Sequence, residues 1–246
     1  MRFLVLSDLH ANLEALTAVL ERARELGWDR TLALGDLVGY GADPDVVVEA
    51  TRRLPGLIIV RGNHDRVASG ERPSPDLGPS ALRAAVWTRR HLSSESREFL
   101  ACLPPGPLVF TPGGILVHGS PVDEDDYLLD EDEGARAFQA LDFHVGFFGH
   151  THLPGSFVSR REAVAWLDIA GDGAAFPLGE TDRHLINPGS VGQPRDGDPR
   201  ASFAIYDDHA RQVTIHRVPY DVASARRKIL EAGLPAALGD RLLHGI

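Results

Sequence analysis

Apolar positions in the first quarter of the chain alternate between short continuous runs and longer stretches with helical spacing. Arg2–Leu6, Thr31–Leu34 and Leu57–Val60 are short runs rich in branched apolar side chains, a pattern typical of buried strands. Capping residues and helical spacing predict helices over Asn12–Gly27 and Asp43–Leu54. Strands and helices that alternate at this spacing predict a parallel sheet with helices on its faces.

The rest of the chain predicts further helices and strands. In chain order we expect a loop over Gly70–Pro79, helices over Ser80–His91 and Ser94–Cys102, a hairpin of Leu108–Phe110 and Ile115–Val117, a buried strand over Phe143–Phe148, and a helix over Val222–Glu231. We expect Val164–Ile169, Ser202–Tyr206 and Gln212–Val218 to form a second, more antiparallel sheet. With no internal repeat or linker evident, the pattern predicts one α/β domain over residues 1–246, built on two stacked sheets.

Composition and charge narrow the class of protein. Of the 246 residues, 43% are hydrophobic and 24% charged, within the usual range for globular domains. The net charge of −10 argues against stable nucleic-acid binding, although bound cations can still attract an anionic substrate. Cys102 is the only cysteine, which excludes a disulfide scaffold.

The N-terminal apolar run is too short for a signal peptide, and no stretch approaches the ~20 apolar residues of a membrane span. We therefore expect a cytoplasmic protein that does not bind membranes. The sequence pattern does not determine the oligomeric state, and it allows a homo-oligomer.

Five short polar motifs directly follow predicted strands. They are Asp8-Leu9-His10, Gly35-Asp36, Gly62-Asn63-His64-Asp65, Val117-His118-Gly119 and Gly149-His150-Thr151-His152. Because the carboxyl ends of strands form the ligand crevice of open α/β sheets, we expect the motifs to converge at one edge of one sheet. Carboxylate, imidazole and amide ligands favour Mn, Fe, Zn or similar ions over an all-oxygen calcium site or a thiolate site.

Each motif alone is a weak signal. Asp-x-His occurs by chance in many chains, and a lone histidine such as His118 is more often packed or exposed than a metal ligand. The remaining histidines lack a strand-end setting, and we expect ordinary core or surface roles for them: His91, His144, His184, His209, His216 and His244. The acidic runs Asp123–Asp126 and Asp130–Glu133 predict a solvated loop, the alternative being a role in shaping substrate access.

Taken together and in this order, the motifs resemble the signature of the calcineurin-like metallophosphoesterase superfamily: DxH, GDxx, GNH(D/E), a later His, and GHxH. The match runs from Met1 to about Val218, and Ser7–Leu13 and Asn187–Val191 resemble small bacterial and archaeal phosphodiesterase members. The resemblance implies a four-layer α/β/β/α sandwich of two mixed sheets, with the metal site at the carboxyl ends of the strands. It also implies a metal-dependent hydrolase acting on a small phosphoester or nucleotide.

Transferred residue by residue, the resemblance implies a site for two divalent or transition-metal ions. The implied ligands are Asp8, His10 and His152 for the first ion, Asn63, His118 and His150 for the second, and Asp36 as the bridge. A carboxylate suits the bridge because its two oxygens can span ions ~3.5–4 Å apart. The implied mechanism is attack on phosphorus by a hydroxide that bridges the ions. His64 would assist the leaving group, and Asp65 is a catalytic candidate that could orient His64.

One departure from the family pattern narrows the activity. Protein phosphatases and symmetrical dinucleoside tetraphosphatases continue the second motif as GDxxDRG, whereas this chain reads Gly35-Asp36-Leu37-Val38-Gly39-Tyr40-Gly41. The missing arginine is a phosphate clamp, so a protein phosphatase is disfavoured. Cyclic nucleotides and other phosphodiesters, dinucleoside polyphosphates and phosphomonoesters remain open. The alternative outside enzymes is a non-catalytic, metal-binding scaffold of the same fold that mediates protein interactions. That lineage lacks the histidine of the GNH motif, which this chain retains as His64.

Overall fold

The computed structural model describes residues 1–71, 77–161, 163–169 and 171–246, so half of the loop predicted over 70–79 lies outside the described residues. The strands are β1 (Arg2–Leu6), β2 (Arg30–Ala33), β3 (Ile58–Ile59), β4 (Leu108–Thr111), β5 (Gly114–Leu116), β6 (Val145–Phe147), β7 (Gly155–Arg160), β8 (Ala163–Asp168), β9 (Ala174–Pro177), β10 (Arg183–Asn187), β11 (Ala201–Asp207) and β12 (Gln212–Val218). The helices are α1 (Leu13–Leu26), α2 (Pro44–Arg52), α3 (Asn63–Ser69), α4 (Pro79–His91), α5 (Ser94–Ala101), α6 (Glu131–Ala140), α7 (Val222–Glu231) and α8 (Ala236–Asp240), followed by a 3-10 helix (Arg241–Leu243).

Within the described residues the strands form two six-stranded mixed sheets. The first has the order β3-β2-β1-β11-β12-β9, with β1, β2 and β3 parallel and β11 antiparallel to β1. The second has the order β4-β5-β6-β10-β7-β8, with β5, β6 and β10 parallel. The parallel strands lie together in each sheet, so their carboxyl ends can supply ligands side by side.

The main core lies between the sheets. Phe3 and Val5 from the first sheet pack against Leu116, Phe147 and Ile186 from the second, all of them buried. Burying one such side chain contributes about 1.5–3 kcal/mol. Helix α1 covers the outer face of the first sheet and α6 that of the second. The implied four-layer α/β/β/α arrangement is confirmed.

The prediction that Ser202–Tyr206 and Gln212–Val218 belong to the second sheet is wrong. The corresponding strands β11 and β12 extend the first sheet, where β11 pairs antiparallel with β1. Strand β11 is buried along nearly its whole length because α1 covers one face and the second sheet the other. A continuous apolar run indicates such burial but not which sheet it joins.

Part of the acidic run is helical. Asp130 Oδ1 accepts a bond from the Glu133 N–H at 2.9 Å, and Glu133 Oε2 accepts one from the Asp130 N–H at 3.3 Å. This reciprocal cap begins α6, and the Asp-x-x-Glu spacing is its sequence signal. Asp130–Glu133 is therefore a helix start rather than a solvated loop.

The C-terminal segment returns to the N-terminal half of the molecule. Helices α7 and α8 and the 3-10 helix pack with Tyr40 and with α4 in one apolar cluster. Lys228 on α7 binds Glu14 Oε1 at 2.6 Å and Asp43 Oδ2 at 2.8 Å. No helix among the described residues has both the length and the apolar character needed to cross a bilayer.

Candidate metal centre

The motif residues meet at one end of the sheet stack, but they come from both sheets. Asp8, Asp36 and Asn63 follow the parallel strands β1, β2 and β3, whereas His118 follows β5 and the His150 motif follows β6. The prediction of one edge of one sheet is therefore wrong in this respect. The carboxyl ends of strands from the two stacked sheets lie next to each other. Residues that follow strands of different sheets therefore meet at one place.

The first cluster consists of Asp8, His10 and His152, whose ligand atoms all lie within 4.8 Å of one another. His152 Nε2 is 3.3 Å from Asp8 Oδ1 and 3.2 Å from His10 Nε2. All three side chains are buried. Asp8 Oδ2 accepts bonds from the Ser7 hydroxyl at 2.5 Å and the His150 N–H at 3.2 Å, which fixes the carboxylate plane.

The hydrogen bonds of His10 and His152 favour tautomers that can bind a cation. His10 Nδ1 contacts the Val38 carbonyl at 3.1 Å, and His152 Nδ1 contacts the Gln193 carbonyl at 2.5 Å. A carbonyl can only accept, so both Nδ1 atoms carry a proton, and when the rings are neutral each Nε2 keeps a lone pair that faces the other. Two lone pairs facing at 3.2 Å repel, and a positive ion between them removes that repulsion.

The second cluster consists of Asn63, His118 and His150 around Asp36. His118 Nε2 is 3.2 Å from Asn63 Oδ1 and 3.5 Å from Asp36 Oδ2, and its Nδ1 contacts the Leu34 carbonyl at 2.7 Å. His150 is held the other way round. Its Nε2 lies 3.2 Å from the Asp125 carbonyl, which leaves Nδ1 as the nitrogen with a free lone pair.

Asp36 lies between the clusters, and a single oxygen faces both. Asp36 Oδ2 is 3.8 Å from His10 Nε2 and 3.5 Å from His118 Nε2. Asp36 Oδ1 accepts a bond from the His64 backbone N–H at 2.8 Å. Oδ2 is thus the carboxylate oxygen that faces both clusters, and the bridging role of Asp36 stays a prediction.

Five of these residues adopt left-handed backbone conformations, which L side chains rarely take. They are Asp8 (φ 53°), His10 (φ 48°), Asp36 (φ 53°), His150 (φ 65°) and His152 (φ 63°), hereafter the left-handed ligands. These angles bend the chain sharply at the strand ends, so neighbouring side chains turn toward one point. Residues in such conformations persist only where the surrounding structure enforces them, and they gather at functional sites.

The pKa values of several side chains in the two clusters are strongly shifted. Burial disfavours the charged form of His118, yet the Asp36 and Asp8 carboxylates raise the pKa of His118 to about 10. Burial, reinforced by His118, lowers the pKa of His150 to about 3. Burial also opposes ionisation of Asp8, but the neighbouring His152 and His118 hold its pKa below the ordinary value. Two ionised carboxylates packed among imidazoles suit divalent cations, which would replace the His118 proton.

His64 lies beside both clusters, with a ring nitrogen within 4.8 Å of ligand atoms of His10 and Asp36. Its Nδ1 is packed against Gly39, where a Cβ would come within 2.4 Å of that nitrogen. Gly39 also has φ 90°, so both space and backbone favour glycine there. The second ring nitrogen, Nε2, is the one available to a substrate.

Asp65 does not orient His64 in this structure. Its Oδ1 accepts the Leu37 N–H at 2.8 Å and its Oδ2 the Gly62 N–H at 3.1 Å, while His64 Nδ1 has no hydrogen-bond partner among the described residues. Burial raises the pKa of Asp65 to about 7. The geometry makes Asp65 a brace that joins the Asp36 loop to the start of α3, in place of the predicted catalytic contact.

The segment Asp123–Asp126 is held against the site by arginines. The Glu124 side chain is only 7% exposed and binds Arg61 at 2.9 Å and Arg66 at 2.5 Å, while Arg66 also binds Asp125 at 2.7 Å. The expectation of a solvated charge run is therefore wrong for Glu124. Because the Asp125 carbonyl contacts His150, the alternative role of this run in shaping the site has structural support.

Several residues near the candidate metal centre are not predicted by the sequence motifs. Tyr40 lies 4.5 Å from the His10 ring and 4.4 Å from the His64 ring, measured between centroids, and Tyr127 lies 3.9 Å from the His150 ring. Gln193 and Arg195 come directly after the Asn187–Val191 motif. Extending that motif by four residues would have included both of them. Arg241, in the 3-10 helix, gave no signal.

The other histidines lie outside the two clusters. His91 stacks on Trp87 at the end of α4, with ring centroids 4.0 Å apart. His144, His209 and His244 are exposed. His184 and His216 are buried in strands, and neither His184 ring nitrogen has a hydrogen-bond partner among the described residues.

Comparison with known proteins places the chain in a family. A family model for the calcineurin-like phosphoesterase superfamily domain matches residues 1–211. A protein of Methanocaldococcus jannaschii, described as uncharacterized, is 38% identical over 248 residues, covering 98% of this chain and 97% of that protein. The crystal structure of a metallophosphoesterase from Sphaerobacter thermophilus is 42% identical, with a TM-score of 0.88, and covers 100% of this chain and 99% of its own.

A hypothetical protein from Pyrococcus horikoshii OT3 has the same fold, with a TM-score of 0.81 at 23% identity over 100% of this chain and 98% of its own. All seven motif ligands lie within the range that the family model matches. The chain therefore belongs to the calcineurin-like phosphoesterase superfamily.

Proposed function

We propose that this protein is a dimetal phosphoesterase that cleaves phosphodiester bonds in small substrates. The observation that carries the proposal is the pair of buried clusters that face each other across Asp36 Oδ2. Asp8, His10 and His152 would hold one ion. Asn63, His118 and His150 would hold the other, with Asp36 shared between them.

Two divalent ions held by these residues would neutralise charge on the phosphate and would lower the pKa of a nearby water molecule toward ~7. The chain's own contribution is to hold the ligands rigidly. Backbone carbonyls fix the tautomers of His10, His118 and His152, and the His64 N–H orients Asp36. Preorganised ligands need no rearrangement as charge develops in the transition state.

His64 would transfer a proton from Nε2 to the leaving oxygen. Burial lowers the pKa of His64, and while Asp36 opposes that shift, Arg195 adds to it. An anionic substrate beside the ring would raise the pKa again by Coulomb attraction, which favours the protonated ring when substrate is bound. Tyr40 packs on the His64 ring and so forms one aromatic wall of the space around it.

The test is hydrolysis of bis(p-nitrophenyl) phosphate by the purified protein with Mn²⁺, Fe²⁺ or Zn²⁺ added, run beside the Asp36→Asn variant. A surface variant, His209→Ala, is the matched control because His209 is exposed and lies outside both clusters. We expect metal-dependent turnover that Asp36→Asn abolishes and His209→Ala retains. No turnover of this diester, or of p-nitrophenyl phosphate, with any of the metals would favour the non-catalytic scaffold instead.

A further inference from the structure

Two arginines converge on one amide oxygen next to the metal centre. Arg195 Nη2 donates to Gln193 Oε1 at 3.1 Å, and Arg241 Nη1 donates to the same oxygen at 3.2 Å. Gln193 is 1% exposed, and its backbone carbonyl accepts the bond from His152 Nδ1. The guanidinium pair is thus tied through one buried residue to a proposed metal ligand.

Neither arginine forms an ion pair with a carboxylate among the described residues. Other arginines of the C-terminal segment do: Arg226 binds Asp240 at 2.8 Å, and Arg227 binds Glu231 at 3.3 Å. Two guanidinium groups held side by side repel each other unless an anion lies between them. Burial, with the neighbouring charge of Arg195, lowers the pKa of Arg241.

Donor groups around the pair also lack acceptors. Arg195 Nε and Gln193 Nε2 are buried and have no hydrogen-bond partner within the described part of the chain. Both are N–H donors, and leaving a buried donor unpaired costs about 1–3 kcal/mol. The surroundings of the pair are thus short of acceptor oxygens, and a phosphate bound by the two guanidinium groups would supply several.

The pair adjoins the catalytic side of the metal centre. Arg195 lies over the Tyr40 ring, with Cζ 5.9 Å from the ring centroid, and its Nη2 is 3.5 Å from the Tyr40 hydroxyl. The same Tyr40 ring contacts His10 and His64. Arg195 is therefore separated from His10 and His64 by a single aromatic ring, and Arg241 joins it through Gln193.

We propose that Arg195 and Arg241 bind a second phosphoryl group of the substrate, remote from the bond that is cleaved. This inference rests on the proposed phosphoesterase function and narrows its substrate class to esters that carry two linked phosphates, such as nucleoside diphosphate esters. Arg241 lies beyond residue 211, where the family match ends, so this chain's own C-terminal segment supplies half of the subsite.

A binding experiment tests the subsite without any turnover. Methylenediphosphonate and methylphosphonate, neither of which is hydrolysed, are titrated calorimetrically into metal-loaded wild type, Arg195→Gln, Arg241→Gln and the control Arg227→Gln. The wild type should prefer the diphosphonate, and each subsite variant should weaken its binding roughly 10-fold or more, because a hydrogen-bonded charge is lost. Binding of methylphosphonate should change little, and Arg227→Gln should behave as wild type. Metal content and melting temperature are measured for every preparation, so that only folded variants with equal metal are compared.

A kinetic experiment separates this inference from the function beneath it. For a nucleoside diphosphate ester, Arg241→Gln should raise KM with little change in kcat, whereas the kinetics with bis(p-nitrophenyl) phosphate should stay near wild type. Arg241→Lys keeps the charge but not the planar fork, and should recover part of the loss. If the wild type turns over both substrates but Arg241→Gln changes their kinetics equally, or changes neither, the second-phosphate site is wrong. The proposed esterase function would then still stand. Absence of turnover in the wild type would instead remove the proposed function, while the calorimetric comparison would still report on the anion site.

Discussion

At the scale of single residues, the shared oxygen of Asp36 makes a testable distinction between the two sites. Asp36→Asn replaces a charged oxygen that faces both clusters, so we expect both ions to bind more weakly. His152→Ala removes a ligand of the first cluster only and should leave the second site near its original affinity. Metal titration followed by elemental analysis measures both effects, with His209→Ala as control. The bridging role is wrong if Asp36→Asn loses one ion and retains the other at unchanged affinity.

His64 should behave differently from the histidines around it. We expect His64→Ala to keep its metal and its fold but to lose roughly 10²–10⁴-fold in kcat for alkoxide leaving groups, the usual contribution of a positioned acid. The loss should shrink for nitrophenolate, which departs without a proton. The measurement is kcat across a series of leaving groups, with metal content checked. A uniform loss across the series would indicate electrostatic stabilisation alone, and loss of metal would make His64 a ligand.

His184 should make the fold sensitive to acid. Burial lowers its pKa from 6.5 to about 4, with Asp182 opposing and Arg160 and Arg211 reinforcing the shift. The unfolded chain takes up the proton below about pH 6.5 and the folded chain only near pH 4, so the free energy of unfolding falls across this window as pH decreases. In His184→Leu this part of the decline should disappear. Denaturant titrations at pH 7, 5.5 and 4 would show it, with His209→Gln as control, and parallel curves for His184→Leu and wild type would contradict it.

At the scale of elements, local signals in the sequence identified most helices and strands but not their partners. The Asn12 side chain accepts the Ala15 N–H at 3.1 Å, which is the cap that the pattern of α1 predicts. The hairpin of β4 and β5 formed as expected. By contrast, the two-residue strand β3 was recognisable only as part of a longer apolar run. Sheet membership of β11 depends on long-range packing that no local pattern records.

The same limit applies to the candidate site. The seven candidate ligands could be named because each follows a strand end, a local feature of the chain. Tyr40, Arg195 and Arg241 could not, because their closeness to the candidate site depends on how distant segments of the chain fold over it. The sequence also could not predict that a single oxygen of Asp36 faces both clusters. That orientation depends on the hydrogen bond from the His64 backbone N–H.

The segment Asp123–Asp126 offers a prediction at this scale. Glu124→Gln removes the charge that pairs with Arg61 and Arg66, so we expect residues 120–128 to loosen. Because the Asp125 carbonyl fixes the His150 ring, affinity at the second site should fall by up to ~10-fold. Hydrogen exchange of residues 120–128 and metal titration give the two readings. Glu131→Gln, on the exposed first turn of α6, is the matched control. Unchanged exchange in Glu124→Gln would show that the ion pairs do not hold this segment.

At the scale of the whole molecule, metal binding should stabilise the fold because the ligands join the two sheets. A ligand at 100 times its Kd that binds only the folded state adds about 2.7 kcal/mol. For a chain of this size that corresponds to a rise in Tm of about 5–10 °C. Scanning calorimetry with saturating Mn²⁺ and with a chelator would measure it, and Asp36→Asn should show a much smaller difference. Equal Tm values for metal-loaded and metal-free wild type would mean that the clusters bind no ion tightly.

The left-handed ligands have a consequence for the history of such a protein. At about 1–2 kcal/mol for each residue, their conformations together weigh against folding by an amount comparable to the whole net stability of an ordinary domain. At any of these positions glycine should therefore give a sturdier inactive protein than alanine, by ~1 kcal/mol. Once selection for catalysis relaxed in a lineage, mutation would tend to erode these positions first, since each loss of a ligand would also relieve the backbone.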